Sequence, residues 1–528
     1  MAYYTENDIY ESVTRDYLQS LDMQNVPSHK EIEKQLLSLF SDEIEVLNIS
    51  RPKNGKIRIP KVLPASVIAD IILKLYHVRK IVWCSDYDSG ELFIYSDSGE
   101  NEGLYVNNED FISRIVWSFH YTALKKDVQE VYCCLTARAS VDHVNDNPDL
   151  IPVHNGIFNY KTKELMPFSP EYIFTSKSAI DYNPNARNIV IHNDEDNTDW
   201  DADTWINELS DDKEIVDLLW QVIGAAVRPY VSWEKVVCFY SEKGNNGKGT
   251  LCQLIRNLCG ENATTSMAFD EFDDDFAFEP LVKASAIITD ENITRAYIKA
   301  TATLKAIITN DKFRVRRKFK TTMTIRFNGL MIQCINGLPK FGDKSESLYR
   351  RLLIVPFDKC FTGVQRKYIK DDYIKRKDVL EYVLYKVLNM NYYSFDVPER
   401  CTTELIEYKL FNDPVRDFLD EFMDEFKWTL VPYAFLYDLY KAWFHDNHPN
   451  SQPQNKKTFS YDVKAVISEY KDWYAKDDPV ATNHRMDARE PLITRYGLTK
   501  WYSNYKGNDD AKLCDFVRKA SYRGIVKD

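Results

Sequence analysis

Apolar residues three and four apart open the pattern. In "SHKEIEKQLLSLFSDE" they place Ile32, Leu36, Leu37 and Phe40 on one helical face behind Ser28, a residue suited to cap a helix. Residues 1–58 therefore read as an N-terminal helical region, closed by "RPKNGKIRIPKVLP". Over 59–200 helical and strand-like pieces mix, and "LIPVHNGIFNYKTKELMPFSPEYIFTSKSAIDYNPNA" carries the Asn-Gly and Pro turns of short strands joined by tight loops. That stretch predicts an α+β domain. Cys133 and Cys134 are expected on opposite sides of a strand, and "HNDEDNTDWDADTW", acidic and without apolar period, as a linker or surface loop.

From 205 the texture changes. "WINELSDDKEIVDLLWQVIGAAV", "KVVCFY" and "GTLCQLIRNLCG" alternate helix, strand and helix, predicting an α/β domain on a central parallel sheet over 205–362. A helical segment is expected over 363–425 and a C-terminal domain over 426–528. In the latter, "NHPNSQPQNKK" separates two helices, Thr458 caps the second, and "PLITRYGLTKWY" forms a late hairpin.

Composition narrows the class. A 528-residue chain with 44% hydrophobic and 28% charged residues is globular and divides into several folding units. It has no run of about 20 apolar residues and starts without the basic flank and apolar stretch of a signal peptide, so a cytoplasmic protein with no membrane role is expected. Ten scattered cysteines without a Cys-x-x-Cys pair argue against a zinc ribbon or disulfide framework and read as reduced thiols in or near cores. A net charge of −12 argues against nucleic acid coating the whole surface, while leaving room for a local basic stripe.

The candidate chemistry lies in the central domain. "VVCFYSEKGNNGKGT" sets a strand-like run before a glycine loop and a helical pattern after it, the context of a phosphate-binding loop. In such a loop the backbone from Gly244 through Asn245, Asn246, Gly247, Lys248, Gly249 and Thr250 wraps the phosphates. Lys248 reaches the β/γ-phosphates, and Thr250 supplies the hydroxyl for Mg²⁺. Glu242 stands where a first glycine is usual, and an ordinary glycine-rich turn is the alternative. About forty residues on, "ASAIITDEN" ends an apolar strand in Asp290 and Glu291, the Walker B layout: Asp290 orients the water shell of Mg²⁺ and Glu291 polarises the attacking water. "GLMIQCINGLPKF" then delivers Asn336 at a strand end, and "SLYRRLLIVPF" carries Arg350 and Arg351, candidates for an arginine finger, with Arg351 preferred. A solvated turn, an Asn-Gly turn and a surface salt bridge are the plain alternatives.

In that order these four elements resemble a superfamily 3 helicase of the AAA+ class, in its poxvirus and phage or plasmid primase-helicase branch. Loops there usually read Gly-x-Gly-x-Asn-Gly-Lys, and Gly244, Asn246, Gly247 and Lys248 match. Residues 60 to 360 carry the resemblance, and the C-terminal part is more loosely similar to a winged-helix end. It implies an AAA+ motor preceded by the α+β region, binding ATP and Mg²⁺ between the subunits of a hexameric ring that translocates on single-stranded or forked DNA to replicate a phage, plasmid or chromosomal island. Origin DNA, a separate primase and host replication proteins are further implied partners. Such motors insert a hairpin into the ring channel before the strand ending in Asn336, and "DKFRVRRKFKTTMTIR", with seven basic residues against one acid, occupies that place. Arg316, Arg317, Lys318, Phe319 and Lys320 are then DNA contacts, Lys318 to phosphate and Phe319 to sugar or base. Lys456 and Lys457 would open a recognition helix, with Arg495 and Lys500 on a wing. Two other functions remain open: a nucleotide or small-molecule kinase, suggested by Gly-Lys-Gly-Thr, and an origin-binding protein using ATP as an assembly switch.

Overall fold

The structure, a computed structural model, describes residues 5–83, 90–274, 276–292, 297–298, 301–318, 322–363, 366–447, 452–501 and 519–528. Two compact units emerge, one of Met1–Gly342 with Arg350–Cys401, the other of Asp343–Tyr349 with Thr402–Asp528. The helical stretch expected over 363–425 is thus divided at Cys401. Among the described residues no helix is long and apolar enough to cross a membrane.

The first unit begins with helices Glu6–Ser20 and His29–Ile49, each opened by a capping box, from Thr5 and from Ser28. Ile32, Leu36, Phe40 and Ile44 of the second helix are buried in one core with Val67, Ile71, Ile94, Ile115 and Leu135 of the following region. There a mixed sheet runs in the order Tyr105–Val106, Glu91–Tyr95, Val78–Val82, Ser140–His143. Cys133 and Cys134 lie in helix Lys125–Arg138 rather than in a strand, because Val131 and Leu135, four apart, set a helical period against the core. The acidic stretch is not loop alone: Ile191–Asn193 pairs with Thr198–Trp200, burying Ile191 and Trp200 and leaving the charged turn in solvent.

The centre of this unit is a parallel sheet of five strands, Thr264–Thr265, Ala286–Thr289, Leu330–Ile335, Val236–Tyr240 and Leu352–Pro356 in spatial order. The last four are buried almost throughout, as expected of parallel strands covered on both faces. Helices Lys213–Ala226, Lys248–Cys259 and Lys377–Asn389 contribute to the same apolar core.

The second unit packs helices Pro414–Phe422, Tyr433–Asn447 and Lys456–Val466 with an antiparallel sheet in the order Leu430–Pro432, Ser521–Lys527, Trp473–Ala481. Lys344 reaches Asp413 at 3.1 Å and Asp462 at 2.9 Å, and the Asp413 side chain is almost fully buried. Asn455, not Thr458, caps the last of these helices, since its Oδ1 accepts from the N–H groups of both Lys457 and Thr458. "PLITRYGLTKWY" is no hairpin. Pro491 starts a short helix to Arg495, Gly497 turns the chain at φ +60°, and Thr499–Trp501 makes a 3₁₀ turn.

Candidate active site

Parallel register brings three sequence elements to one edge. The loop strand Val236–Tyr240 lies beside Leu330–Ile335, which lies beside Ala286–Thr289, so the phosphate-loop candidate, Asn336 and Asp290 all follow the carboxyl ends of adjacent strands. Open α/β sheets bind ligands at that edge.

The loop needs a left-handed backbone at two positions, Asn245 (φ 58°) and Gly247 (φ 87°). At Gly247 a Cβ would also meet Leu209 Cδ2 at 2.5 Å. Glu242 has no positive φ and is exposed, so the missing first glycine demands nothing of the backbone there. Asn246 is buried and braces the turn, donating to the Lys243 carbonyl at 2.6 Å, while the Asn245 carbonyl accepts from the Phe361 N–H at 2.7 Å. Helix Lys248–Cys259 starts at Gly247, which offers no side-chain cap, and among the described residues only its Lys248 N–H is taken by a side chain, Asn246 Oδ1 at 3.4 Å; the N–H groups that follow in the first turn suit an anion.

Lys248 is only 5% exposed. Its ammonium donates to Asn336 Oδ1 at 2.8 Å and to the Ile335 carbonyl at 3.2 Å, and burial lowers its pKa below the usual lysine value. Beside the loop is a cavity of about 390 Å³, walled by Trp205, Leu209, Phe361 and Ile369 and reaching Asn245, Gly247 and Thr250. Its size lies within the range of small-ligand pockets.

Asp290 accepts from Arg256 Nη1 at 2.8 Å, while Arg256 Nη2 donates to the Ile288 carbonyl at 2.9 Å. Asp290 Oδ1 is buried without a hydrogen-bond partner among the described residues. Glu291 is exposed. The turn carrying both acids is fixed by Asn292, whose amide donates to Gln333 Oε1 and to the Cys334 carbonyl, both at 3.0 Å, and whose Oδ1 accepts from the Phe269 N–H. Sequence reading missed Arg256 and Asn292. An arginine two helical turns after the lysine and an amide directly after the acid pair carry no motif, and only the fold shows their partners.

Arg350 and Arg351 occupy the opposite edge. They precede the strand Leu352–Pro356, and the Arg351 carbonyl accepts from the N–H of Val236, the first residue of the loop strand. About four residues of strand, roughly 13 Å, separate that edge from the start of their own loop.

The basic stretch forms an antiparallel ribbon, Lys312–Val315 with Met323–Arg326. Phe313, Val315, Met323 and Ile325 face the core, and Lys312, Arg314 and Arg326 are exposed. Lys312 and Arg326 are directly opposite each other across the ribbon. Arg316 and Lys318 are exposed. Arg317 corrects the expected set of DNA contacts: its side chain is 6% exposed and ion-paired to Glu91, which also accepts from Asn107 at 2.9 Å. Phe319 and Lys320 lie outside the described residues.

In the second unit Lys456 and Lys457 are exposed at the start of their helix. Arg495 and Lys500 are not on a wing. Arg495 ends a short helix and pairs with Glu425 at 2.7 Å, and Lys500 pairs with Asp438. The strand pairing expected around them is taken by Trp473–Ala481 and Ser521–Lys527.

Comparison with known proteins places these segments. Residues 69–211 match the family profile described as D5 N terminal like, residues 411–496 that described as Poxvirus D5 protein-like, and residues 239–351 a family of unknown function, DUF5906. No curated protein matches the chain. Among solved structures, the apo NrS-1 C terminal region (305-718) is 11% identical with a TM-score of 0.44, over 79% of this chain and 97% of that one. Its A form is 12% identical with a TM-score of 0.42, over 88% and 100%. A D5 N-terminal-like segment thus precedes the parallel sheet along the chain, and a poxvirus D5-like segment follows it.

Proposed function

We propose that the protein is an ATP-dependent DNA helicase whose AAA+ motor assembles as a hexameric ring and unwinds DNA during replication of a phage or mobile element. The observation that carries this reading is the meeting of Lys248, Asn336 and Asp290 at the carboxyl edge of one parallel sheet. The D5-like segments supply the replication context.

In this reading the loop N–H groups and Lys248 take the β- and γ-phosphates of ATP, and the apolar wall of Trp205, Leu209 and Phe361 takes the base. Thr250 and Asp290 hold Mg²⁺, partly through water. The donor set suits it, since Thr250 faces the cavity and Asp290 keeps one carboxylate oxygen without a partner. A metal held there would offset the charge of the nucleotide phosphates. Glu291 orients and deprotonates water, Asn336 senses the γ-phosphate, and Arg351 serves the neighbouring subunit. Exposed Lys318 and the ribbon's Lys312, Arg314 and Arg326 engage the DNA backbone. The three helices and three-stranded sheet of the second unit support a winged-helix module with Lys456 and Lys457 at its DNA-facing helix.

The deciding experiment is ATP hydrolysis with and without single-stranded DNA, together with unwinding of a fork. The expected result is turnover that DNA stimulates. A kinase does not respond to DNA, and an assembly switch turns over little ATP either way.

A further inference from the structure

We propose that Cys252, Cys334 and Asp290 form a binding site for one thiophilic divalent cation, represented by zinc(II), beneath the nucleotide site. Three different elements bring them together. Cys252 is in the first turns of helix Lys248–Cys259, Cys334 is in the strand ending in Asn336, and Asp290 follows the neighbouring strand, whose register pairs Thr289 with Gln333. The two sulfurs are 3.4 Å apart, and one ligand atom from each of the three residues lies within 4.8 Å of the others.

The spacing suits a metal. Two sulfurs on one tetrahedral zinc, each at about 2.3 Å, stand roughly 3.8 Å apart, so the thiols need to separate by only a few tenths of an ångström. Three protein ligands leave one position open to water. The charges also close. Binding displaces both thiol protons to the buffer, and the resulting two thiolates and one carboxylate exceed the cation's charge by one, which the Arg256 guanidinium on Asp290 offsets. Sulfur ligands select zinc over magnesium, a cation that keeps to oxygen. Unmetallated, the Cys252 thiol stays protonated, since the hydrogen-bonded Cys334 sulfur and burial hold it well above its ordinary pKa.

The consequence rests on the ATPase reading, whereas the binding does not. Asp290 cannot serve the thiol pair and a magnesium nucleotide in one position, so zinc should inhibit turnover.

The test titrates cobalt(II), a spectroscopic substitute for zinc, into the full chain kept reduced with a phosphine. One equivalent should produce sulfur-to-cobalt charge-transfer absorption and the visible bands of a tetrahedral ion, and X-ray absorption should count two sulfurs. Cys252→Ala and Cys334→Ala should each weaken binding at least tenfold, with Cys133→Ser unchanged as the control. Asp290→Asn should weaken binding while leaving the sulfur band. No sulfur band in the wild type, a sulfur count other than two, or a band undiminished in the Cys252→Ala/Cys334→Ala double variant overturns the site. The wild-type sulfur count decides the matter even where a variant does not fold. Absence of ATP turnover with the cobalt signature intact defeats the ATPase reading alone, and turnover indifferent to bound zinc overturns the sharing of Asp290.

Discussion

The Lys248 ammonium is held 2.8 Å from Asn336 Oδ1, so the cation of the loop and the polar residue of the neighbouring strand are in register. A buried ammonium is stable only when paired, and a phosphate is a stronger partner than an amide oxygen. Lys248→Ala should therefore cut ATP hydrolysis by about 10²–10³-fold, the size of effect that follows loss of a donor to developing charge. Phosphate release measures it, and wild-type turnover would remove the loop from catalysis.

Glu291 is exposed, yet its turn is pinned by three hydrogen bonds of Asn292. If Glu291 is the base, Glu291→Gln keeps its shape and removes that function. Nucleotide binding should survive while hydrolysis falls by about 10²–10⁴-fold, the usual worth of a positioned general base. Fluorescent-nucleotide binding beside phosphate release separates the two effects. Asn292→Ala should lower turnover less, by loosening the turn rather than removing the base.

Arg351 lies at the sheet edge opposite its own loop, so in the proposed ring it would act on the neighbouring subunit's site. Arg351→Ala should bind nucleotide and hydrolyse it poorly. Mixing it with Lys248→Ala should restore part of the activity, because some mixed interfaces pair an intact loop with an intact arginine. Demonstrated mixing without rescue would assign the finger to another residue, Arg350 first.

How legible this was depends on the range of the interactions. The strand before the loop, the strand ending at the acids and Asn336 stood out because parallel strands are short apolar runs bounded by polar ends, a local signal. What failed was set by distant partners. Arg317 looks like every other basic residue in its stretch, and its partner Glu91 lies 226 residues away. Arg495 and Lys500 read as wing residues until Ser521–Lys527 supplies the strand that their own segment was expected to form. The thiol pair joins residues 82 apart and carries no spacing motif.

In the second unit Lys344 neutralises Asp413, whose side chain is 1% exposed. Lys344→Ala leaves that carboxylate buried and uncompensated, and should cost about 3 kcal/mol, the low end for breaking a buried pair, because Lys344 itself remains 26% exposed. Thermal unfolding measures the loss. Although burial opposes the Lys344 charge, Asp413 and Asp462 raise its pKa overall. The contribution is therefore fully present at neutral pH and is lost only as pH rises above the ordinary lysine pKa and through the raised folded value.

Arg317 and Lys318 are neighbours with opposite expectations. Arg317 is buried on Glu91 and Lys318 is exposed in the turn of the ribbon. If the ribbon binds DNA, Lys318→Ala frees one phosphate and leaves the nucleotide site intact. Basal ATP hydrolysis should survive, stimulation by single-stranded DNA and fork unwinding should fall, and the dependence of log K on log salt should flatten by about 0.7 for each phosphate of a single strand that is no longer neutralised. Arg317→Ala should instead lower the melting temperature, because Glu91 is left without its cation. Glu91→Gln should reproduce part of that loss without touching a basic residue. Restoration of stability in Arg317→Ala by Glu91→Gln would tie the effect to the pair. Unchanged salt dependence and unwinding in Lys318→Ala would move the DNA-binding surface to the ribbon's outer face, where Arg314→Ala and Arg326→Ala are the next variants to measure.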